Sequence, residues 1–136
     1  DNRFWNKMDF QKRSVSNVKT LDTTITLLET NGTNELEFKV TGLEGVPVTI
    51  ELCFLEGGKL SGVSIPENGN SFLENGTGKY EYGGNSIEFG PGSMPHKKIT
   101  DLEGERYSTH FGSLRTEGMH VYITGTTPFI HKLTFS

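Results

Sequence analysis

Residues 20–42 read "TLDTTITLLETNGTNELEFKVTG", and the alternation within that stretch decides what kind of fold the chain can adopt. In "ELEFKVTG", Leu36, Phe38 and Val40 share one parity, and Glu35, Glu37 and Lys39 share the other. Successive side chains of a strand point to opposite sides, so the segment suits a strand buried on one side only. The "TNGTN" before it centres on Asn31-Gly32, a pair suited to the positive φ angles of a type I′ turn. "TLDTTITLLE" and "ELEFKVT" are therefore expected to form an antiparallel hairpin.

The same period runs through the rest of the chain, and no window repeats apolar residues at helical spacing. "VPVTIELCFLEGGKLSGVSI" predicts a strand over residues 46–55, a Gly57-Gly58 turn and a returning strand from Lys59. Val46, Val48, Ile50, Leu52 and Phe54 form its inward set, with Cys53 on the opposite parity. Pro47 has no N–H for a ladder and belongs at a sheet edge or at the start of a strand. "PENGNSF" reads as a loop, "GKYEYGGNSIEFG" as a hairpin about Gly83-Gly84, and "PGSMPHKKITDLEGE" as the longest irregular connection. Three last strands are expected near residues 105–111, 119–124 and 129–135. About nine or ten short strands joined by turns describe one all-β domain over residues 1–136, a two-sheet antiparallel β-sandwich or jelly roll. The opening "DNRFWNKMDFQKRSVSN", residues 1–17, is the part expected to be helical or irregular, its Phe4, Trp5, Met8 and Phe10 able to cover a sheet edge. It begins without methionine, as expected of a processed protein or an excised piece of a longer one.

Composition narrows the function classes. The 136 residues are enough for one core without metals or disulfides. Hydrophobic residues make up only 32%, while Gly reaches 17 and Phe 9, a pattern of many turns with aromatic anchors between them. The formal charge is -4 and no Lys/Arg block occurs, which argues against nucleic acid or an anionic membrane as partner. No apolar run is long enough for a membrane span. The single Cys53 rules out an internal disulfide framework and a cysteine-rich zinc site. Two glycosylation sequons, at Asn31 and Asn75, fall in Asn-Gly turns that the fold needs anyway.

The chemistry-bearing residues gather towards the end. His96, His110, His120 and His131 all lie in the last third, but there is no H-x-H, no H-E-x-x-H and no paired cysteine. A metal would have to be assembled from separate strands, and neither metal nor cofactor is expected. No G-x-S-x-G elbow occurs, and Cys53 lies within an apolar strand where a thiolate is disfavoured. Carboxylate pairs are available at Glu103 with Glu105 and at Glu81 with Glu88, and the competing reading is a solvated hairpin face. If strand 119–124 turns Met119, Val121 and Ile123 inward, His120, Tyr122 and Thr124 share its outer face. Arg106 and His110 on the preceding strand, with Arg115, would stand nearby. Tyrosine, histidine and arginine on one sheet face make a sugar platform, since a sugar ring stacks on aromatic surface while its hydroxyls pair with the polar groups. Trp5, Tyr80 and Tyr82 could extend it. The plainer view is that tyrosine and threonine are simply good strand formers.

Two resemblances bear on this. "GGNSIEFGPGSMPHKK", residues 83–98, resembles the second motif of the cupin jelly rolls through Pro91, Gly92 and His96, but the first motif, with its H-x-H and glutamate, has no counterpart. "GVPVTIELCFLEGGKLSGV", "IEFGPG" and "TGTTPFIHKLTF" together resemble the terminal β-sandwich modules of bacterial polysaccharide lyases and glycoside hydrolases. That resemblance implies a secreted or periplasmic, non-catalytic module that binds carbohydrate or braces another domain of its parent chain, with Arg106, His110, Arg115, His120 and Tyr122 as ligand-binding residues. The alternatives are a jelly-roll enzyme using His96, His110 or His120 with Glu105, and a purely structural domain marked by an exposed apolar patch.

Overall fold

A computed structural model describes residues 11, 20–64, 71–99 and 118–136. The opening hairpin forms as its sequence requires: β1 (Leu21–Thr30) pairs in register with β2 (Thr33–Gly42), Ile25 opposite Phe38 and Thr23 opposite Val40. Asn31 and Gly32, at φ 49 and 79, make the turn between them. Both angles lie in the left-handed region, which Asn tolerates and Gly adopts without steric cost.

Seven further strands follow: β3 (Pro47–Phe54), β4 (Lys59–Ser61), β5 (Ser71–Phe72), β6 (Gly78–Tyr82), β7 (Asn85–Gly90), β8 (Met119–Thr126) and β9 (Phe129–Phe135). They form two sheets. One has six strands in the order β1-β2-β9-β7-β6-β4, the other three in the order β3-β8-β5. Every pairing is antiparallel except β5 with β8, which is parallel. The domain is thus an all-β sandwich, and among the described residues no helix is long and apolar enough to cross a membrane.

The core lies where the inward rows of the two sheets meet. Val40, Phe89, Phe129 and Leu133 come from the larger sheet, and Ile50, Val121 and Ile123 from the smaller, with Leu73 just after β5. Val121, Ile123, Leu133, Phe89 and Leu73 are fully buried, and each such side chain is worth about 1.5–3 kcal/mol relative to exposure. Pro47 opens β3, an edge strand of the smaller sheet, so its missing N–H breaks no ladder.

One connection differs from expectation. The Gly57-Gly58 turn does not close a hairpin: β3 belongs to the three-stranded sheet and β4 to the six-stranded one, so the chain crosses between sheets there. The alternation of residues 46–55 names the buried side of a strand but not the sheet it joins. Phe54 explains the crossing, because its ring packs on Tyr80 at 4.8 Å and on Phe89 at 4.9 Å, both from the opposite sheet. Gly58 then runs so close to the Tyr80 ring that a Cβ there would overlap it.

The expected strand over residues 105–111 lies outside the described residues, as does the N-terminal segment of residues 1–17 apart from Gln11. Among the described residues six strands face three, and the larger sheet extends beyond the smaller.

Candidate functional site

The outer face of β8 carries the residues that the alternation selects. Met119, Val121 and Ile123 belong to the core or pack against it, and His120, Tyr122 and Thr124 form the opposite row. On β3 the matching outer row is Thr49, Glu51 and Cys53, with Glu51 opposite Tyr122 and Cys53 opposite His120. His120 Nδ1 donates to Glu51 Oε1 at 2.7 Å, and its ring stacks on Tyr122 at 6.3 Å and 15°. Glu51 was not singled out by the sequence reading, because the β3–β8 register is a tertiary fact. Cys53 is exposed and stands on this outer face, as its parity predicts.

Tyr122 is outward but only 9% exposed, its ring tilted against Phe72 at 5.8 Å, so it offers no open stacking surface. Thr124 is fully buried and donates its hydroxyl to the His96 carbonyl at 2.7 Å. His96 Nε2 donates to the Gly125 carbonyl at 2.7 Å, and its Nδ1 accepts from the Lys98 N–H at 3.3 Å. Nε2 therefore pins His96 onto β8, and Nδ1 holds the Lys98 main chain beside it. His131 is likewise engaged: Nε2 donates to the Pro91 carbonyl at 2.9 Å and the ring stacks on Phe129. His96 meets β8 at Thr124, four residues from His120 and so about 14 Å away along the strand. The two imidazoles do not form one centre. Among the described residues, no three His, Cys, Asp or Glu side chains are placed to hold a metal ion. Arg106, His110, Arg115, Glu103 and Glu105 lie outside the described residues.

The β6–β7 carboxylates also part. Glu81 faces Ser86 and Glu88 faces Lys79, so the two acids are not opposite each other. Glu81 instead pairs with Lys79 at 2.9 Å; this hydrogen bond and the ammonium charge hold its carboxyl below the usual 4.5, with Lys59 adding a smaller pull. That is a solvated sheet face.

An open aromatic surface does occur at the far end of the same hairpin. Tyr80, Tyr82, Asn85, Ser86 and Ile87 line a shallow hollow of about 230 Å³. The Tyr80 and Tyr82 rings lie nearly parallel, 7° apart with centroids at 6.4 Å. Tyr80 is anchored: its hydroxyl donates to the Leu55 carbonyl at 2.6 Å, and burial, then the neighbouring Tyr82, raises its phenol above the usual 10.0. Tyr82, beyond the Leu55–Gly58 crossing, is half exposed, with the Asn85 amide directly opposite it in the ladder. Asn85 follows the Gly83-Gly84 turn, and only the hairpin geometry brings it beside the ring; Ser86 faces Glu81 on the other side of the ladder.

A second, larger cleft of about 480 Å³ runs under the overhang of β1 and β2, lined by Leu21, Ile25, Phe38, Val40, Val48 and Ile50 among others. Its lining is mostly apolar, with Glu51 as the charged member.

Fold and surface together define a two-sheet β-sandwich with an aromatic hollow at one hairpin tip and an apolar cleft at the opposite edge. Comparison with protein-family models, with curated proteins and with solved structures finds no match.

Proposed function

We propose that the domain is a non-catalytic, carbohydrate-associated module, and that the Tyr82 hollow is where a glycan residue meets it. The observation that carries this reading is the half-exposed Tyr82 ring set parallel to a buried Tyr80, with Asn85 at its margin. An aromatic face takes the C–H side of a pyranose, and the Asn85 amide on the same face supplies a donor and an acceptor for the ring hydroxyls. The hollow is smaller than the usual small-molecule pocket of about 300 Å³ or more, so it suits one sugar ring of a longer chain. A single ring stacked on an open face binds weakly, and a dissociation constant on the order of 1 mM corresponds to about −4.1 kcal/mol.

The pairing of all three described histidines within the sandwich favours this reading over the jelly-roll enzyme built on His96 and His120. In the same reading the domain serves a secreted or periplasmic polysaccharide-degrading protein, as a binding element or as a brace for a catalytic domain. Line broadening of the Tyr82 ring protons in NMR, with a panel of polysaccharide fragments at millimolar concentration, tests it. At least one fragment should bind, and Tyr82→Ala should abolish that binding while leaving the melting temperature within about 2 °C, as expected for an exposed side chain. A panel with no binder, or binding indifferent to Tyr82→Ala, overturns the assignment.

A further inference from the structure

The feature that the glycan reading leaves unused is β1. It forms one edge of the six-stranded sheet, is ten residues long, and is exposed along its whole length. Among the described residues no strand pairs with its outer side. Leu21, Ile25, Leu27 and Leu28 are 48%, 56%, 64% and 58% exposed, and Leu21 and Ile25 wall the 480 Å³ cleft. Proteins that keep such an edge solitary guard it with lysine, proline, a bulge or an inward charge. "LDTTITLLET" has no lysine and no proline, pairs with β2 without a bulge, and carries its only charges at Asp22 and Glu29, near its two ends.

We infer that β1 is a homodimerisation edge, pairing antiparallel with β1 of a second copy of this chain about a two-fold axis perpendicular to the sheet. The strand is complementary to itself in the register that places Ile25 opposite Ile25. Thr24 then faces Thr26, Thr23 faces Leu27, Leu21 faces Glu29 and Asp22 faces Leu28, so no two like charges are directly opposed. Because the axis keeps each face on its own side, the Leu21, Ile25 and Leu27 rows of the two copies become one apolar strip, and the two clefts open towards each other. Main-chain bonds satisfy the edge, and alternate side chains fill the space below it, as in strand addition generally.

The size of the contact sets its strength. Ten residues span about 34 Å, and an edge roughly 10 Å deep gives about 340 Å² per copy from the ladder alone. That is below the ~800 Å² per partner of a stable interface, so the dimer is weak and reversible.

Sedimentation velocity from 10 µM to 1 mM tests this without any glycan, so its outcome is independent of the Tyr82 assignment. The expected result is a monomer–dimer equilibrium, with amide exchange in β1 slowing as concentration rises. Ile25→Lys and Ile25→Glu should each weaken the dimer at least tenfold, because each sets like charges against one another on the axis. An equimolar mixture of the two should restore it as a heterodimer. Far-ultraviolet circular dichroism of each variant confirms that it is folded; if either is not, the pair Thr24→Lys/Thr26→Lys and Thr24→Glu/Thr26→Glu, whose positions face each other across the axis, replaces it. A chain that stays monomeric at 1 mM overturns the inference, including one whose β1 amides are protected regardless of concentration, since another part of the chain then covers the edge. A dimer indifferent to the Ile25 charges overturns it as well.

Discussion

Thr127 shows how much one side chain holds in this sandwich. It is 4% exposed, its hydroxyl donates to the Leu43 carbonyl, and the same oxygen accepts the Val46 N–H at 2.9 Å. Its main chain bonds to both Gly45 and Val46, so the loop that carries the chain from β2 to β3 is tied to the β8–β9 corner. Thr127→Ala removes the hydroxyl and strands a donor and an acceptor, which should cost about 1–3 kcal/mol in urea unfolding. A loss well under 1 kcal/mol would mean that water replaces the hydroxyl without penalty. At this scale the histidines and tyrosines also sort themselves by partner and not by type. His96 and His131 act as hydrogen-bonded struts, His120 is oriented by Glu51, Tyr122 is packed against Phe72, and Tyr82 presents an open ring.

At the scale of elements, the β6–β7 hairpin combines an aromatic and a solvated face. Its inward row gives Tyr80 to the core and Tyr82 to the hollow, while its outer row carries Lys79, Glu81 and Glu88. The Glu81 carboxyl is held below 4.5 by Lys79, so its contribution to stability is present above the unfolded value and is lost as the pH falls through the lower, folded value. The pair is exposed to solvent, and its share of stability is correspondingly small. A carboxyl-carbon NMR titration should place the Glu81 midpoint below 4.5 and, in Lys79→Met, move it upward; an unchanged midpoint would assign the shift to something other than Lys79. The hairpin made by β1 and β2 has the opposite balance. Its turn and register follow from local sequence, but among the described residues nothing pairs with the outer side of β1, and its apolar side chains are exposed.

For the whole molecule, stability rests on side chains that pass between the sheets. Phe89 is fully buried and meets Phe54 from the opposite sheet at 4.9 Å. Phe89→Ala should lower stability by about 3–5 kcal/mol, with near-ultraviolet and far-ultraviolet signals still melting in one transition because both sheets share that core. Separate transitions would indicate that the sheets are stable apart. The all-β class, the strands from β1 to β3, the β6–β7 hairpin, the inward sets of β3 and β8 and the placing of Pro47 at an edge or a strand start were determined by the sequence alone, since period-two alternation and turn chemistry are local and act through a strand's nearest neighbours. The partition into six strands and three, the crossing at Gly57-Gly58, the meeting of Glu51 with His120, the burial of Tyr122 and the opening of Tyr82 were decided only by the tertiary structure. Parity tells a side chain which way to point. What it meets there depends on which strand lies across the ladder and on what the opposite sheet packs against it, as Phe54 meets Tyr80 and Phe89, and those are long-range facts.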